Sequence, residues 1–221
     1  MRPMLHPPRR FAQRGFTLVE IAIVLVIVGL LLGGVLKGQE MIENARVKDA
    51  ANTINGVTAA YNSYLDRYGR IPGDDGPLAT LVARGGSWGA VGAGNNNGTI
   101  NITAAQTFAA AGEQVPFWQH LRAAGFIKGN PATNTQDALP RNAWGGLVGV
   151  NFSNTQGRPA NRLLVCMQNV PGKAAMALDR QMDDGMSNNG TLRATLGTAV
   201  VPGAAAGAYN EAQVYTICQE I

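Results

Sequence analysis

An almost unbroken apolar run, residues 16–36, constrains this chain more than any other part of its sequence. Only Thr17 and Glu20 interrupt the run, and a helix over it is about 31 Å long, which is enough to cross one bilayer. No second stretch approaches this length, so we expect one membrane-spanning helix and a remainder that lies outside the membrane. A charge inside a membrane span is costly and usually has a function, which makes Glu20 a candidate functional residue.

A short basic segment that ends in glycine precedes the apolar run. Residues 1–15 contain four arginines and no acidic residue, and Gly15 stands directly before Phe16. A secretory signal peptide has a similar start, but its small-residue cleavage site follows the apolar stretch, and residues 37–40 offer no such site. A simple one-span anchor explains the apolar run but neither Glu20 nor the glycine junction. The arginines predict a cytoplasmic N-terminus before processing.

Residues 15–20, with the sequence GFTLVE, resemble the class III signal of the type IV pilin and pseudopilin superfamily. The resemblance implies that a prepilin peptidase cleaves between Gly15 and Phe16 and that the new N-terminal Phe16 is methylated. It also implies that the carboxylate of Glu20 pairs with the processed amino terminus of a neighbouring subunit, which lowers the cost of burying both charges. The alternative is that Glu20 lies at the membrane interface and reaches water alone.

The net charge of +4 comes from the leader. Four of the 18 lysines and arginines precede Phe16, which leaves 14 basic residues against 14 acidic ones in the processed chain. This balance does not indicate a nucleic-acid partner. The chain also lacks a phosphate-binding glycine loop, and we expect a protein that is not an enzyme.

The helix that begins in the apolar run is expected to continue to about residue 70. Apolar side chains recur every three or four residues from Val47 to Tyr68, and Pro72-Gly73 ends the pattern. Later β-rich runs predict about four antiparallel strands. These runs are residues 146–152, 162–170, 191–200 and 213–218, and short helices are predicted at 116–127 and 173–182. The expected fold class is α+β, a long helix packed on a sheet, which is the ladle shape that the resemblance implies.

Three regions follow from this pattern. Residues 1–15 form a leader that is removed, and residues 16–70 form the long N-terminal helix, with a transmembrane part at 16–36. Residues 71–221 form an extracytoplasmic head. Within the head, residues 71–140 make a variable region of loops and short helices, and the sheet with its disulfide-bounded end follows from 141 to 221.

Cys166 and Cys218 are the only cysteines. An even pair in an oxidising compartment predicts a disulfide, and a loop of about 52 residues would stabilise the fold by about 4 kcal/mol. Two buried free thiols are the alternative. The CxxC spacing of thiol oxidoreductases is absent.

A turn rich in acidic and amide side chains is the one candidate metal site. Asp179, Asp183, Asp184 and Asn188 supply oxygen atoms of the kind that Ca²⁺ prefers, although their spacing is not that of an EF-hand. We favour the alternative, in which Asp183 and Asp184 cap backbone amides, and expect no cofactor. For His120, which has no histidine partner outside the leader, we expect a role in packing or at the surface.

Taken together, these features predict a structural subunit, a minor pilin of a type IV pilus or related filament. Its partners would be other pilin or pseudopilin subunits, the prepilin peptidase, the bacterial inner membrane and the pilus or secretion assembly machinery. Lys37 stands where many major type IV pilins carry a proline, which favours a minor subunit. Two alternatives stay open: a type II secretion pseudopilin, and a single-span anchored extracytoplasmic binding protein.

Overall fold

A computed structural model describes residues 15–198 and 201–221 of the chain. The predicted leader, except for Gly15, and the end of the predicted strand at 191–200 therefore lie outside the described residues. The chain forms two compact units, one that extends to Ile42 and one that comprises Glu43–Ile221. The boundary lies within the first helix, so each part of that helix is described with its own unit.

Helix α1, Leu18–Tyr68, contains 51 residues and confirms the long N-terminal helix. Its residues 21–36 are apolar on all sides, and no side chain between residues 15 and 42 is buried. Within the described ranges, α1 is the one helix that is long and apolar enough to cross a membrane. An apolar surface of this size is stable only where lipid or other helices cover it.

The second part of α1 is amphipathic and forms one wall of the core of the head. Its buried side chains recur at intervals of three or four residues, which places them on one face of the helix. They are Val47, Ala50, Ala51, Ile54, Val57, Ala60 and Tyr64. The helix ends at Tyr68. The next residue, Gly69, has a φ of +62°, which a glycine adopts without steric cost and which terminates the helix.

Three further helices lie in the head: α2 (Leu78–Val82), α3 (Gln114–Ala123) and α4 (Gly172–Met182). Helix α3 packs against the second part of α1, and the rings of Tyr61 and Phe117 stack at this contact. The sequence predicted α3 to begin and end later than it does. Its C-terminus is set by Gly125, whose φ of +80° reverses the chain.

The sheet has four antiparallel strands in the order β1-β2-β4-β3, as the sequence predicted in number and direction. The strands are β1 (Val148–Ser153), β2 (Arg162–Pro171), β3 (Leu192–Leu196) and β4 (Val214–Glu220). Helix α4 contacts β2, β3 and β4. The long helix packed on this sheet confirms the α+β fold class.

Loops protect both edges of the sheet. The N–H of Phe152 in β1 donates to the carbonyl of Ile102, and the N–H of Ala194 in β3 donates to the carbonyl of Ser187. Paired edge groups are not free to add a strand from another chain. The sheet is therefore a poor site for recognition by strand addition.

Candidate functional site

Thr17 and Glu20 together cap the start of α1. The backbone N–H and the hydroxyl of Thr17 both donate to Oε2 of Glu20 at 2.8 Å, and the N–H of Glu20 donates to Oγ1 of Thr17 at 3.2 Å. This reciprocal arrangement is a capping box, which satisfies donors that the first turn of a helix leaves unpaired. Sequence analysis missed this role of Glu20, although the T-x-x-E spacing is its signature.

The capping box uses only one oxygen of Glu20. Within the described residues, Oε1 of Glu20 makes no hydrogen bond. Gly15 and Phe16 precede the cap and are exposed, and Phe16 has 83% of its surface accessible. The structure thus places an accessible peptide junction next to a carboxylate that has one oxygen available for a cation.

Cys166 and Cys218 form the predicted disulfide. They lie directly opposite each other on β2 and β4, their Cα atoms are 4.0 Å apart, and both are fully buried. The bond therefore ties the last strand of the chain to a central strand of the sheet.

The structure brings together the three carboxylates of the predicted metal site. One oxygen each of Asp179, Asp183 and Asp184 lies within 4.8 Å of the others. Asn188 is exposed and makes no hydrogen bond to these carboxylates in the described part of the chain. Burial raises the pKa of Asp179, although hydrogen bonds from Tyr209 and Gly185 oppose the shift.

All three carboxylates already accept hydrogen bonds from residues that follow α4 in the chain. The donors are the Gly185 N–H and Tyr209 hydroxyl for Asp179, the Thr191 and Leu192 N–H groups for Asp183, and the Met186 N–H and Asn189 side-chain amide for Asp184. Four of these six donors are backbone amides. These four hydrogen bonds connect the cluster to the backbone of residues 185–192.

Comparison with known proteins bears on the N-terminal site. The family model described as the prokaryotic N-terminal methylation motif matches residues 10–36, which include the exposed junction and Glu20. The fimbrial protein EcpC of Eikenella corrodens is 32% identical to this chain over 106 residues, which cover 46% of the chain and 69% of that protein. The chain belongs to the type IV pilin-like proteins. No solved structure matches this pilin-like chain.

A second polar cluster is buried in the pilin-like head, and sequence analysis did not identify it. The hydroxyl of Tyr64 donates to Oδ2 of Asp75 at 2.6 Å, and Arg84 forms an ion pair with the same oxygen at 2.8 Å. The side chain of Asp75 is 1% exposed. Burial, followed by the hydrogen bond to Asp75, raises the pKa of Tyr64, so this hydroxyl remains a donor.

His120 lies against this cluster and is fully buried, which confirms a packing role. Its Nδ1 accepts the N–H of Gly73 at 2.9 Å, so Nε2 carries the proton and donates to the carbonyl of Gly92 at 2.7 Å. Burial lowers the pKa of His120. Asp75 opposes this shift and Arg84 adds to it.

We expect the head to lose stability as the pH falls from 7.5 to 5.5, with His120 as a principal cause. Because the pKa of His120 is lower in the folded state than the ordinary 6.5, the unfolded chain binds more protons in this range. The stabilisation is complete above about pH 6.5 and is lost as the pH falls towards the folded-state pKa. Urea unfolding at several pH values measures the effect. His120→Asn cannot titrate, and a variant profile as steep as that of the wild type would contradict the assignment.

Arg158 is a further buried residue that no sequence signal indicated. Its guanidinium donates to the carbonyls of Thr191 and Cys218 and to Oε1 of Gln156, each at 2.9 Å. Burial, with repulsion from Arg193, lowers its pKa to about 10, which leaves it charged at neutral pH. Arg158 therefore connects the loop between β1 and β2, residues 154–161, to the end of β4 through hydrogen bonds.

Proposed function

We propose that this pilin-like structural subunit is a minor pilin of a type IV pilus or a related filament. The observation that carries the proposal is the carboxylate of Glu20, one oxygen of which has no partner among the described residues, at the start of a helix whose residues 21–36 are all apolar and exposed. Such a helix is stable in lipid before assembly and among other helices after it. The subunit catalyses no reaction in this proposal, and its function is assembly.

In this proposal, prepilin peptidase removes the leader by cleavage between Gly15 and Phe16, and Phe16 is then methylated. The leader arginines hold the N-terminus on the cytoplasmic side of the inner membrane, and the head lies on the other side. Glu20 accepts the amino terminus of a neighbouring subunit through Oε1. The fimbrial relative supports a pilus more than a secretion pseudopilus.

Substitution of Gly15 tests the processing step. We expect Gly15→Val to block cleavage and to leave the full precursor in the membrane, whereas Gly15→Ala, which adds only one methyl group, is expected to be tolerated. Because no atom of the described residues, apart from the chain neighbours, lies within 4 Å of a Cβ placed at Gly15, a folding defect is not expected in either variant. Intact-mass analysis of the membrane fraction distinguishes the products. Normal cleavage of the Gly15→Val chain would contradict the assignment of the junction.

We also propose that the turn formed by Asp179, Asp183 and Asp184 is structural and does not require calcium. If it bound calcium at a concentration of about 100 times the dissociation constant, the head would gain about 2.7 kcal/mol of stability. We therefore expect the Tm of the head to change by less than about 1 °C between excess calcium and excess chelator. An increase of several degrees with calcium would instead assign a metal site to these residues.

A further inference from the structure

Asparagine stands directly before glycine at residues 55–56, 97–98 and 189–190. An asparagine in this position can lose its side-chain amide without an enzyme, because glycine has no side chain that hinders attack by its backbone nitrogen. The reaction requires that this nitrogen is free and that the local backbone can change its conformation. Because the three pairs share the reactive dipeptide, their reactivity in the folded chain depends on their surroundings.

Two of the pairs are matched in sequence beyond the dipeptide. Residues 96–99 and residues 188–191 both have the sequence Asn-Asn-Gly-Thr. Asn97 and Asn189 are also both exposed to solvent. A difference in their reactivity therefore comes from the hydrogen bonds that the fold makes around them.

The fold protects Asn97 and Asn55. The N–H of Gly98 donates to Oδ2 of Asp74 at 2.8 Å, and Asp74 is 3% exposed. Oδ1 of Asn97 in turn accepts the N–H of Thr99 at 3.0 Å. Asn55 lies inside α1, where the next N–H is bound to a carbonyl of the preceding turn. Both glycine nitrogens are therefore held in hydrogen bonds.

Asn189 lacks this protection. The N–H of Gly190 makes no hydrogen bond to any described residue, and residues 183–191 contain no helix or strand. The side-chain amide of Asn189 donates to Oδ2 of Asp184 at 2.7 Å. Both of these side chains are exposed, so water competes for this bond. Neither reacting group is held by a buried partner.

We propose that Asn189 deamidates spontaneously in the folded chain and that the product loosens the connection between α4 and β3. The backbone nitrogen of Gly190 bonds to Cγ of Asn189, and the side-chain nitrogen leaves as ammonia with the proton of the Gly190 N–H. Water then opens the resulting five-membered succinimide at either carbonyl. One product is aspartate, and the other is isoaspartate, in which the main chain runs through the former side chain.

Both products disturb the carboxylate cluster that follows α4. The aspartate product replaces the amide donor by a carboxylate, which repels the carboxylate of Asp184. The isoaspartate product lengthens the main chain by one carbon directly before Thr191 and Leu192, whose N–H groups donate to Oδ2 of Asp183. Leu192 begins β3, so the added carbon shifts the start of this strand relative to α4.

Peptide mapping of the folded, detergent-solubilised chain during incubation at neutral pH tests the proposal. Mass spectrometry measures the exchange of NH₂ for OH at each asparagine, and isoaspartate methyltransferase detects the isoaspartate. We expect Asn189 to react at least about tenfold faster than Asn55 and Asn97, because each protected pair must first break a hydrogen bond. In urea, Asn97 and Asn189 should react at equal rates, because their sequence neighbours are the same.

Asn189→Gln is the matched variant. It keeps an amide donor, and its longer side chain forms the corresponding six-membered ring much more slowly. Asn189→Asp carries the aspartate product from the start, and we expect its Tm to be about 2 °C below that of fresh wild type. The Tm of the wild type should fall towards this value during incubation, whereas the Tm of Asn189→Gln should stay constant.

Three results would overturn the proposal: a rate at Asn189 in the folded chain no higher than the rate at Asn97, a rate difference that persists in urea, or a Tm of Asn189→Asp equal to that of the wild type. None of these measurements depends on whether the chain enters a filament, because the reaction requires only water.

Discussion

Replacement of Glu20 by Gln is expected to leave cleavage and membrane insertion intact and to reduce incorporation into filaments by at least about tenfold. Glutamine can close the same capping box with Thr17, so the helix start is preserved while the negative charge is lost. The amino terminus of the neighbouring subunit then lacks its counter-ion in a dry helical bundle. Incorporation is measured as the amount of the chain in sheared filaments relative to the amount in the membrane.

Glu20→Ala is the matched variant, because it removes both the charge and the cap. If the negative charge is required, the Gln and Ala variants will be incorporated into filaments equally poorly. If only the helix cap is required, the Gln variant will be incorporated as the wild type is, and only the Ala variant will be incorporated poorly. That second outcome would show that Glu20 acts in helix capping alone. It would favour the alternative hypothesis that the chain is a single-span anchored binding protein.

Loss of the disulfide is expected to reduce the free energy of unfolding of the head by about 4 kcal/mol. The physical reason is the sequence separation of 52 residues between Cys166 and Cys218, because the bond restricts that long loop in the unfolded chain. A fragment that begins at Gln39 should be a soluble monomer, since it lacks the exposed apolar part of α1 but retains the whole second unit. Urea unfolding of this fragment with and without the bond measures the difference.

Cys166→Ala combined with Cys218→Ala removes the bond without leaving a thiol. The wild-type fragment under reducing conditions serves as the control, and both should lose similar stability. A loss below about 1 kcal/mol would show that the unfolded chain is already restricted without the bond. Two free thiols in protein from the oxidising compartment would contradict the pairing itself.

The elements that the sequence predicted well depend on local patterns. The three- to four-residue spacing of apolar residues from Val47 to Tyr68 is visible in the sequence, and the helix follows it to Tyr68. The strands are shifted by one or two residues from the predicted runs or, for β3, end earlier. Strand ends depend on pairing between distant segments, which no local pattern encodes.

The parts of the site that escaped prediction depend on contacts between distant residues. His120 receives a hydrogen bond from Gly73, which is 47 positions away, and Arg158 donates to Cys218, which is 60 positions away. No local sequence pattern around His120 or Arg158 predicts which distant residue is its hydrogen-bond partner. The capping box of Thr17 and Glu20 is different, because its T-x-x-E spacing is local and is present in the sequence.

Intact-mass and N-terminal peptide analysis of the chain in sheared surface filaments tests both cleavage between Gly15 and Phe16 and assembly into a filament. We expect a chain that begins at an N-methylated Phe16 and contains one disulfide. A chain that begins at Met1 or after Leu36, or that is confined to the membrane when the filaments are otherwise intact, would contradict it.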